Sequence, residues 1–171
     1  MLNKKVAALL NEQVNKEFYS AYLYLDFANY YHDQNLDGFA NWYEIQAKEE
    51  MDHAMLMVRF LQNNDHSVQL EAIAKPEVEL KEFIDPLNEA LKHERYVTSL
   101  IHKIYELAIE MKDYRAQKFL NWFIDEQGEE EKNATEMINR FKLFAGDPHG
   151  LYALDNEFKT RQYSAPSLSL D

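Results

Sequence analysis

Apolar residues recur every three or four positions along four long stretches of the chain, which is the spacing of one face of an α-helix. Only four glycines and four prolines occur in 171 residues, and clusters of turn-forming residues separate the stretches. The pattern predicts four long helices at about 3–32, 37–63, 85–111 and 114–145, then a short fifth helix at about 148–159. Asp85-Pro86 and Asp147-Pro148 are predicted helix caps, and Gly146 is predicted to end the fourth helix in the C′ position.

The connection between the second and third helices, at about 64–82, is too long for a tight turn and contains Pro76. Extended at ~3.3 Å per residue, it can span ~60 Å, whereas a helix of this length spans ~40 Å. The two helices that it joins can therefore be parallel. The predicted fold is all-α: a four-helix bundle with a long crossover and a short fifth helix.

Each of the four apolar faces is interrupted near its middle by polar residues. On all four helices the interruption includes a glutamate, and a buried carboxylate is costly unless it is paired or bound to a cation. The second and fourth helices add further polar groups at helical spacing. The interrupting residues are Glu17, then Gln46, Glu50 and His53, then Glu94, then Gln127 and Glu130.

The spacing of these residues repeats. Glu50 follows Glu17 by 33 residues, and Gln127 follows Glu94 by the same interval. Each half thus offers a carboxylate and then a pair at i and i+3, which share a helix face. Two divalent cations would offset the four carboxylates, with the central Glu50 as a bridge, and these ligands suit iron or manganese and less specifically zinc. A hydrogen-bond network without metal is disfavoured, because unpaired buried carboxylates each cost several kcal/mol.

Composition narrows the class of protein. A formal net charge of −12 argues against nucleic-acid or anionic-membrane partners. Cysteine is absent, which excludes disulfides, zinc–thiolate sites and iron–sulfur clusters. No stretch has the features of a signal peptide or of a transmembrane helix, so we expect a cytoplasmic protein. We expect one domain at 1–160 and a loose, flexible tail at 161–171.

From residue 1 to about 160 the chain resembles the non-haem bacterial ferritins. The resemblance lies in several motifs together, which makes it far more specific than a lone Glu-x-x-His. They are EFYSAYLY at 17–24, EEMDHA at 49–54, HE at 93–94, DEQGEEEK at 125–132 and GLYALD at 150–155.

The resemblance implies a di-iron ferroxidase centre inside each subunit. Three positions correspond to ligands of the first iron: Glu17, Glu50 and His53. The second iron would be held by Glu50, Glu94 and Glu130, with Gln127 close by and Tyr24 beside the centre. Members of the family also have a third iron site, which maps onto Glu49, Glu126 and Glu129; the alternative for these three is an acidic, solvated helix face.

The implied reaction is oxidation of ferrous iron by dioxygen or peroxide, followed by storage of ferric mineral. The family forms a homo-oligomer, a hollow shell of twenty-four subunits. The haem-binding relatives carry Glu-x-x-His in both halves and a haem-ligating methionine at the position of Met51. Here the second half reads Gln127-x-x-Glu130, so no haem is expected and Met51 is interpreted as a packing or interface residue. The second iron site lacks histidine and is predicted to bind more weakly.

Two other functions compete with iron storage. One is a di-metal oxidase that acts on an organic substrate or on peroxide without bulk storage, and it needs a pocket that opens onto the metals. The other is a DNA-protecting mini-ferritin, which this chain disfavours because it has no basic arm and its ligands lie within one bundle. Five histidines are predicted to be surface or interface residues rather than ligands: His32, His66, His93, His102 and His149.

Overall fold

The structure is a computed structural model that describes residues 2–170; Met1 and Asp171, the outer limits of the expected domain and tail, lie outside the described residues. Within that range it consists of helices and connecting segments, as the sequence predicts. The helices are α1 (Lys4–Asp33), α2 (Asp37–Gln62), α3 (Asp85–Glu110), α4 (Tyr114–Phe144) and α5 (Pro148–Phe158).

Side chains cap the first turns of three helices, α1, α4 and α5. Asn3 accepts a hydrogen bond from the Lys5 N–H at the start of α1, and Asp147 accepts from two backbone N–H groups of α5. Asp113 caps α4 and also accepts from the backbone N–H of Asn3 at 2.6 Å. That contact holds the starts of α1 and α4 together, and it satisfies N–H groups that have no partner inside a helix.

Two predicted helix limits differ in detail. The N-cap of α3 is Ile84, and Asp85 lies one residue inside the helix. Its carboxylate turns back to accept hydrogen bonds from the N–H groups of Lys81 and Glu82, at 2.8 and 2.7 Å. Gly146 follows the C-cap of α4, as predicted, but it does not adopt a positive φ.

The long connection between α2 and α3 runs beside α1, as the predicted crossover requires. Asn11 bonds both the N–H and the carbonyl group of Gln69, and the hydroxyl group of Tyr31 donates to the carbonyl oxygen of Phe83 at 2.6 Å. The segment therefore returns from one end of α1 to the other, which allows α2 and α3 to run parallel.

Apolar side chains form two clusters, one toward each end of the bundle. One includes Leu10, Val14, Met57, Ile101 and Phe123. The other includes Tyr31, Phe39, Leu87 and Met137. Between them the buried side chains are polar, so both clusters hold this middle layer in place and keep it from water.

The short helix α5 is fitted against the start of α2. The Asp155 carboxylate accepts hydrogen bonds from the N–H groups of Gly38 and Phe39, at 2.8 and 3.0 Å. A Cβ atom at Gly38 would collide with the backbone oxygen of Asp155, so this close approach requires glycine.

In the part of the chain that the structure describes, no helix is long and apolar enough to cross a membrane.

Residues 159–170, which we call the C-terminal strap, lie along α2 and α4. The structure gives these residues defined contacts with the bundle. Asn63 donates to the carbonyl oxygen of Leu170 at 3.0 Å, and the Trp122 indole donates to Ser167 at 2.9 Å. Leu168 and Leu170 pack against the apolar core. Their alternation with serine is a period-two pattern that suits an extended segment.

Candidate metal centre

The middle layer of the bundle contains the polar residues that interrupt the four apolar faces. All four glutamates predicted to face the core are buried, and Glu130 is the most exposed of them at 7%. Their neighbours His53, Gln46 and Gln127 are buried too. The polar layer is therefore built by α1, α2, α3 and α4 together, one glutamate from each helix.

The α1–α2 half of the layer holds a compact group of three possible metal ligands. One ligand atom each of Glu17, Glu50 and His53 can be chosen so that all lie within 4.8 Å of one another. The imidazole Nδ1 of His53 lies 3.3 Å from Glu50 Oε2, and the Gln46 amide donates to Glu50 Oε1 at 3.3 Å. Gln13 donates to Glu17 Oε1 at 2.9 Å.

One oxygen of this half has no partner. Among the described residues, Glu17 Oε2 is the buried side-chain atom for which no hydrogen bond exists. A buried oxygen in that state costs about 1–3 kcal/mol. The two oxygens of Glu17 thus differ, since one is fixed by Gln13 and the other is free to bind a cation.

In the α3–α4 half, direct hydrogen bonds satisfy the carboxylate of Glu94. Glu94 Oε1 accepts a hydrogen bond from the Tyr24 hydroxyl group, and Oε2 accepts from the Gln127 amide at 3.1 Å. The same amide lies within 3.4 Å of Thr98 Oγ1, whose hydroxyl group donates to Glu131 at 2.7 Å. Both oxygens of Glu94 therefore accept a hydrogen bond, unlike those of Glu17.

Burial makes several of these carboxyl groups hold protons near neutral pH. Burial, together with the neighbouring charge of Glu50, raises the pKa of Glu17 to about 8 and that of Glu130 to about 7. The same two causes, with Glu130 added, raise the pKa of Glu94 well above its usual range. A cation entering the layer would replace these protons.

Glu50 and His53 behave as an ion pair. Burial favours the neutral acid at Glu50, but the facing imidazolium and its hydrogen bond bring the Glu50 pKa below its ordinary value. Burial likewise opposes charge on His53, yet Glu50 and Glu126 raise the pKa of the imidazole well above its usual range. The single imidazolium balances one carboxylate of the layer.

The donor set fits a pair of hard-to-borderline divalent cations such as ferrous iron. Carboxylate oxygens and one imidazole are ligands that iron and manganese accept. The unpartnered Glu17 Oε2 beside Glu50 and His53 provides an open ligand position. The Glu94 and Glu130 carboxylates supply the remaining negative charge.

Comparison with known proteins agrees with this geometry. The family model described as "Ferritin-like domain" matches residues 7–144. The chain belongs to the ferritin family. It is 36% identical to a bacterial non-heme ferritin of Campylobacter jejuni over 93% of this chain and 95% of that protein. A bacterial non-heme ferritin of Staphylococcus epidermidis is also 36% identical, over 96% and 99%.

Solved ferritin structures have the same fold. An open-pore ferritin from the archaeon Archaeoglobus fulgidus superposes with a TM-score of 0.92 at 37% identity, covering 95% of this chain and all of that one. A closed form of the same ferritin, made by site-directed mutagenesis, gives 0.93 at 36% identity, over 96% and 100%. Membership of the family supports iron storage as the role of this protein.

The three residues mapped to a third iron site have different surroundings in this ferritin. Glu49 is ion-paired with Arg161 of the strap at 2.5 Å. Glu126 reaches toward the centre, with Oε1 3.7 Å from His53 Nε2, and Glu129 is exposed. The structure brings Glu126 to the imidazole but does not group the three carboxylates.

Several residues around the centre were not singled out from the sequence. Arg161 is the clearest, because its contact with Glu49 joins residues 112 positions apart. Gln13 precedes Glu17 by one helical turn, and that spacing could have identified it. His93, which the sequence predicts to be a surface or interface residue, is half-buried, with Nε2 2.8 Å from Ser20 Oγ.

Proposed function

We propose that this ferritin oxidises ferrous iron at a di-iron ferroxidase centre in each subunit and stores the ferric product as mineral. The observation that carries the proposal is the unpartnered Glu17 Oε2 in a buried group with Glu50 and His53. A buried carboxylate oxygen that lacks a hydrogen bond is stabilised when a cation binds it.

The arrangement supports two adjacent iron positions. Glu17, Glu50 and His53 bind the first ferrous ion, and Glu50 bridges to the second. Glu94 and Glu130 complete the second position, with the Gln127 amide close to it. Histidine serves the first position alone, so the first ion binds more tightly than the second.

Iron is the substrate, and the residues of the layer hold it and release protons. Two ferrous ions lose one electron each, and dioxygen takes the pair with two protons to give hydrogen peroxide. Hydrogen peroxide can accept two more electrons from another pair of ferrous ions, with two protons, to give two waters. Tyr24, whose hydroxyl group donates to Glu94, stands beside the centre as a hydrogen-bond or electron donor.

Ferric ions then move toward the acidic side chains at Glu49, Glu126 and Glu129, which form the third iron position. Glu126 supports this path, because its carboxylate lies 3.7 Å from the centre's imidazole. The formal net charge of −12 favours cation uptake. We place the reaction in the cytoplasm and assign no haem to it.

A homo-oligomeric shell of twenty-four copies would enclose the mineral. Exposed apolar side chains of α1, α2 and the crossover support self-association, since isolated chains seldom leave such patches in water. They surround a surface groove of about 420 Å³ and include Tyr22, Leu25, Met51 and Ile73. Met51, 48% exposed, belongs to this patch and is assigned to the subunit contact.

The size of the internal space disfavours an oxidase that acts on organic substrates. The cavity beside Tyr24, Glu94 and Glu130 has a volume of about 20 Å³, close to that of a single water molecule. Pockets for small organic ligands are typically about 300 Å³ or more. Ferrous ions, dioxygen and peroxide are the reactants that fit.

The test is to add ferrous iron to the apoprotein in air, in increasing amounts, and to measure particle size and iron content. We expect a large assembly that keeps hundreds of irons in solution. Retention of only a few irons per subunit would contradict storage and favour a di-metal oxidase. Oxidation at the rate of free iron in buffer would contradict the ferroxidase centre.

A further inference from the structure

The C-terminal strap crosses α2 beside the centre, where it contacts Gln46 and Glu49. Extended at ~3.3 Å per residue, its twelve residues can cover ~40 Å, which is about the length of α2. It begins where Asn41 donates to the backbone oxygens of Phe158 and Arg161. It ends where Asn63, at the other end of α2, bonds Leu170.

Arg161 is held at this crossing by four contacts. Its guanidinium donates to Glu49 Oε2 at 2.5 Å, and to Gln46 Oε1 and the Trp42 carbonyl oxygen, each at 3.1 Å. It also lies 4.2 Å from the centre of the Trp42 ring. Both partners of the ion pair are less than 20% exposed, at 17% for Arg161 and 18% for Glu49. Such a pair is stronger than one between mobile surface side chains.

The contact with Gln46 links the strap to the centre. A guanidinium has only donors, so the amide oxygen of Gln46 must face it. The amide nitrogen is then left to face Glu50, to which it donates at 3.3 Å. Arg161 therefore touches one residue of the proposed third position and orients another that bonds the bridging carboxylate.

We infer that Arg161 is a tethered counter-cation for Glu49, through which the strap limits binding of a cation at the third position. This inference rests on the proposed function, because it concerns cations bound at the same centre. A guanidinium 2.5 Å from the Glu49 oxygen occupies the place of a divalent ion and repels it. A cation that uses Glu49 must first displace Arg161, and with it the local part of the strap.

Anaerobic calorimetric titration of the assembled apoprotein with zinc, which is not oxidised, tests this inference. We expect Arg161→Gln to bind the Glu49-dependent zinc ion at least about tenfold more tightly than the wild type. Lys159→Gln is the matched control, because it removes one positive charge from the same strap at a residue paired with Asp37 rather than Glu49. It should titrate as the wild type does.

The double variant Arg161→Gln/Glu49→Gln assigns the added zinc ion. It should lose the tight binding that Arg161→Gln gains. Equal affinity in the wild type and in Arg161→Gln would overturn the inference, as would an equal gain in Lys159→Gln or a gain that persists without Glu49. Circular dichroism and particle size, measured on every variant, show that the subunit is folded and assembled.

The outcomes also separate this inference from the proposed function. Failure of the wild type to bind zinc at Glu17, Glu50 and His53 would contradict the proposed centre. An intact zinc site at those residues, combined with no change on loss of Arg161, would contradict the role of the strap alone.

Discussion

The two helix pairs place their polar residues at the same spacing, yet they compensate buried charge differently. In α1–α2, Glu17 keeps one oxygen without a partner while Glu50 pairs with His53. In α3–α4, Gln127 donates to one oxygen of Glu94, and Tyr24 of α1 donates to the other. The first pair thus leaves a buried carboxylate oxygen without a hydrogen bond, whereas hydrogen bonds already satisfy the Glu94 carboxylate of the second.

The difference predicts unequal cation affinity at equivalent positions of the two helix pairs. In α2 the imidazole of His53 supplies a strong ligand for iron, whereas the matching position in α4 is the carboxylate of Glu130. Gln127, which matches Glu50, has an amide that supplies hydrogen bonds instead. We therefore expect the α1–α2 half to form the tighter of the two proposed iron positions, and the α3–α4 half to form the weaker one. Four changes to the chain test this contrast.

Removal of the one imidazole in the centre should have the largest effect. His53→Ala takes away a proposed ligand of the first iron, and we expect ferrous affinity and the initial oxidation rate to fall about 100-fold or more. Stopped-flow absorbance of ferric product measures the rate. His102→Ala, an exposed histidine on α3, is the control; a comparable rate loss there, or none in His53→Ala, would contradict the ligand assignment.

The unpartnered Glu17 should make the stability of the metal-free protein depend on pH. Its pKa rises from 4.5 to about 8 through burial and the charge of Glu50, so between these values the folded state binds more protons than the unfolded state. Stability therefore falls as pH rises, by roughly 2 kcal/mol per subunit between pH 6 and 8.

Thermal unfolding of the apoprotein at fixed concentration measures this dependence. Glu17→Gln cannot titrate, so its melting temperature should change less between pH 6 and 8 than that of the wild type. Glu12→Gln, an exposed change on the same helix, is the control. An unaltered slope in Glu17→Gln would show that Glu17 is not the group that holds the proton.

Giving α4 the ligand pattern of α2 should reduce the difference in affinity between the two proposed metal positions. Gln127→Glu combined with Glu130→His creates a second Glu-x-x-His, and we expect the second divalent ion to bind about tenfold more tightly. Anaerobic titration resolves the two binding steps. Glu136→His places an imidazole on the exposed face of α4 and should leave both steps unchanged; equal effects of the two designs would rule out a ligand role.

The smallest effect is expected at the tyrosine that bonds Glu94. Tyr24→Phe removes one donor from that carboxylate, a loss of about 1 kcal/mol, so oxidation should slow by a few-fold. The comparison is Tyr22→Phe on the same helix, where the ring is 51% exposed. Identical oxidation rates in the wild type and in Tyr24→Phe would contradict a role for Tyr24 in the centre.

Local pattern was sufficient to predict the helices and the polar layer. The 3.6-residue repeat fixes which side chains share a helix face, so the burial of Glu17, Glu50, His53, Glu94 and Glu130 is readable from spacing alone. The 19-residue gap at 64–82 likewise determined the crossover, because its length exceeds that of a turn. These features depend on near neighbours along the chain.

The hydrogen-bond partners could not be predicted in the same way. Spacing places Glu94 and Gln127 in one layer, but only the packed bundle decides that the amide bonds Glu94 and that Tyr24 reaches the other oxygen. The unpartnered state of Glu17 Oε2 follows from the same packing. Distances of a few tenths of an ångström, which no periodicity encodes, separate these outcomes.

Residue spacing along the chain was enough to predict an all-α bundle with one buried glutamate on each of four helices. Tertiary structure alone decided that Arg161, 112 residues from Glu49, is paired with it. Residues within one helix are placed by a fixed rise and rotation. An extended strap has no such constraint, and its position is set by the side chains of α2 and α4 along which it lies.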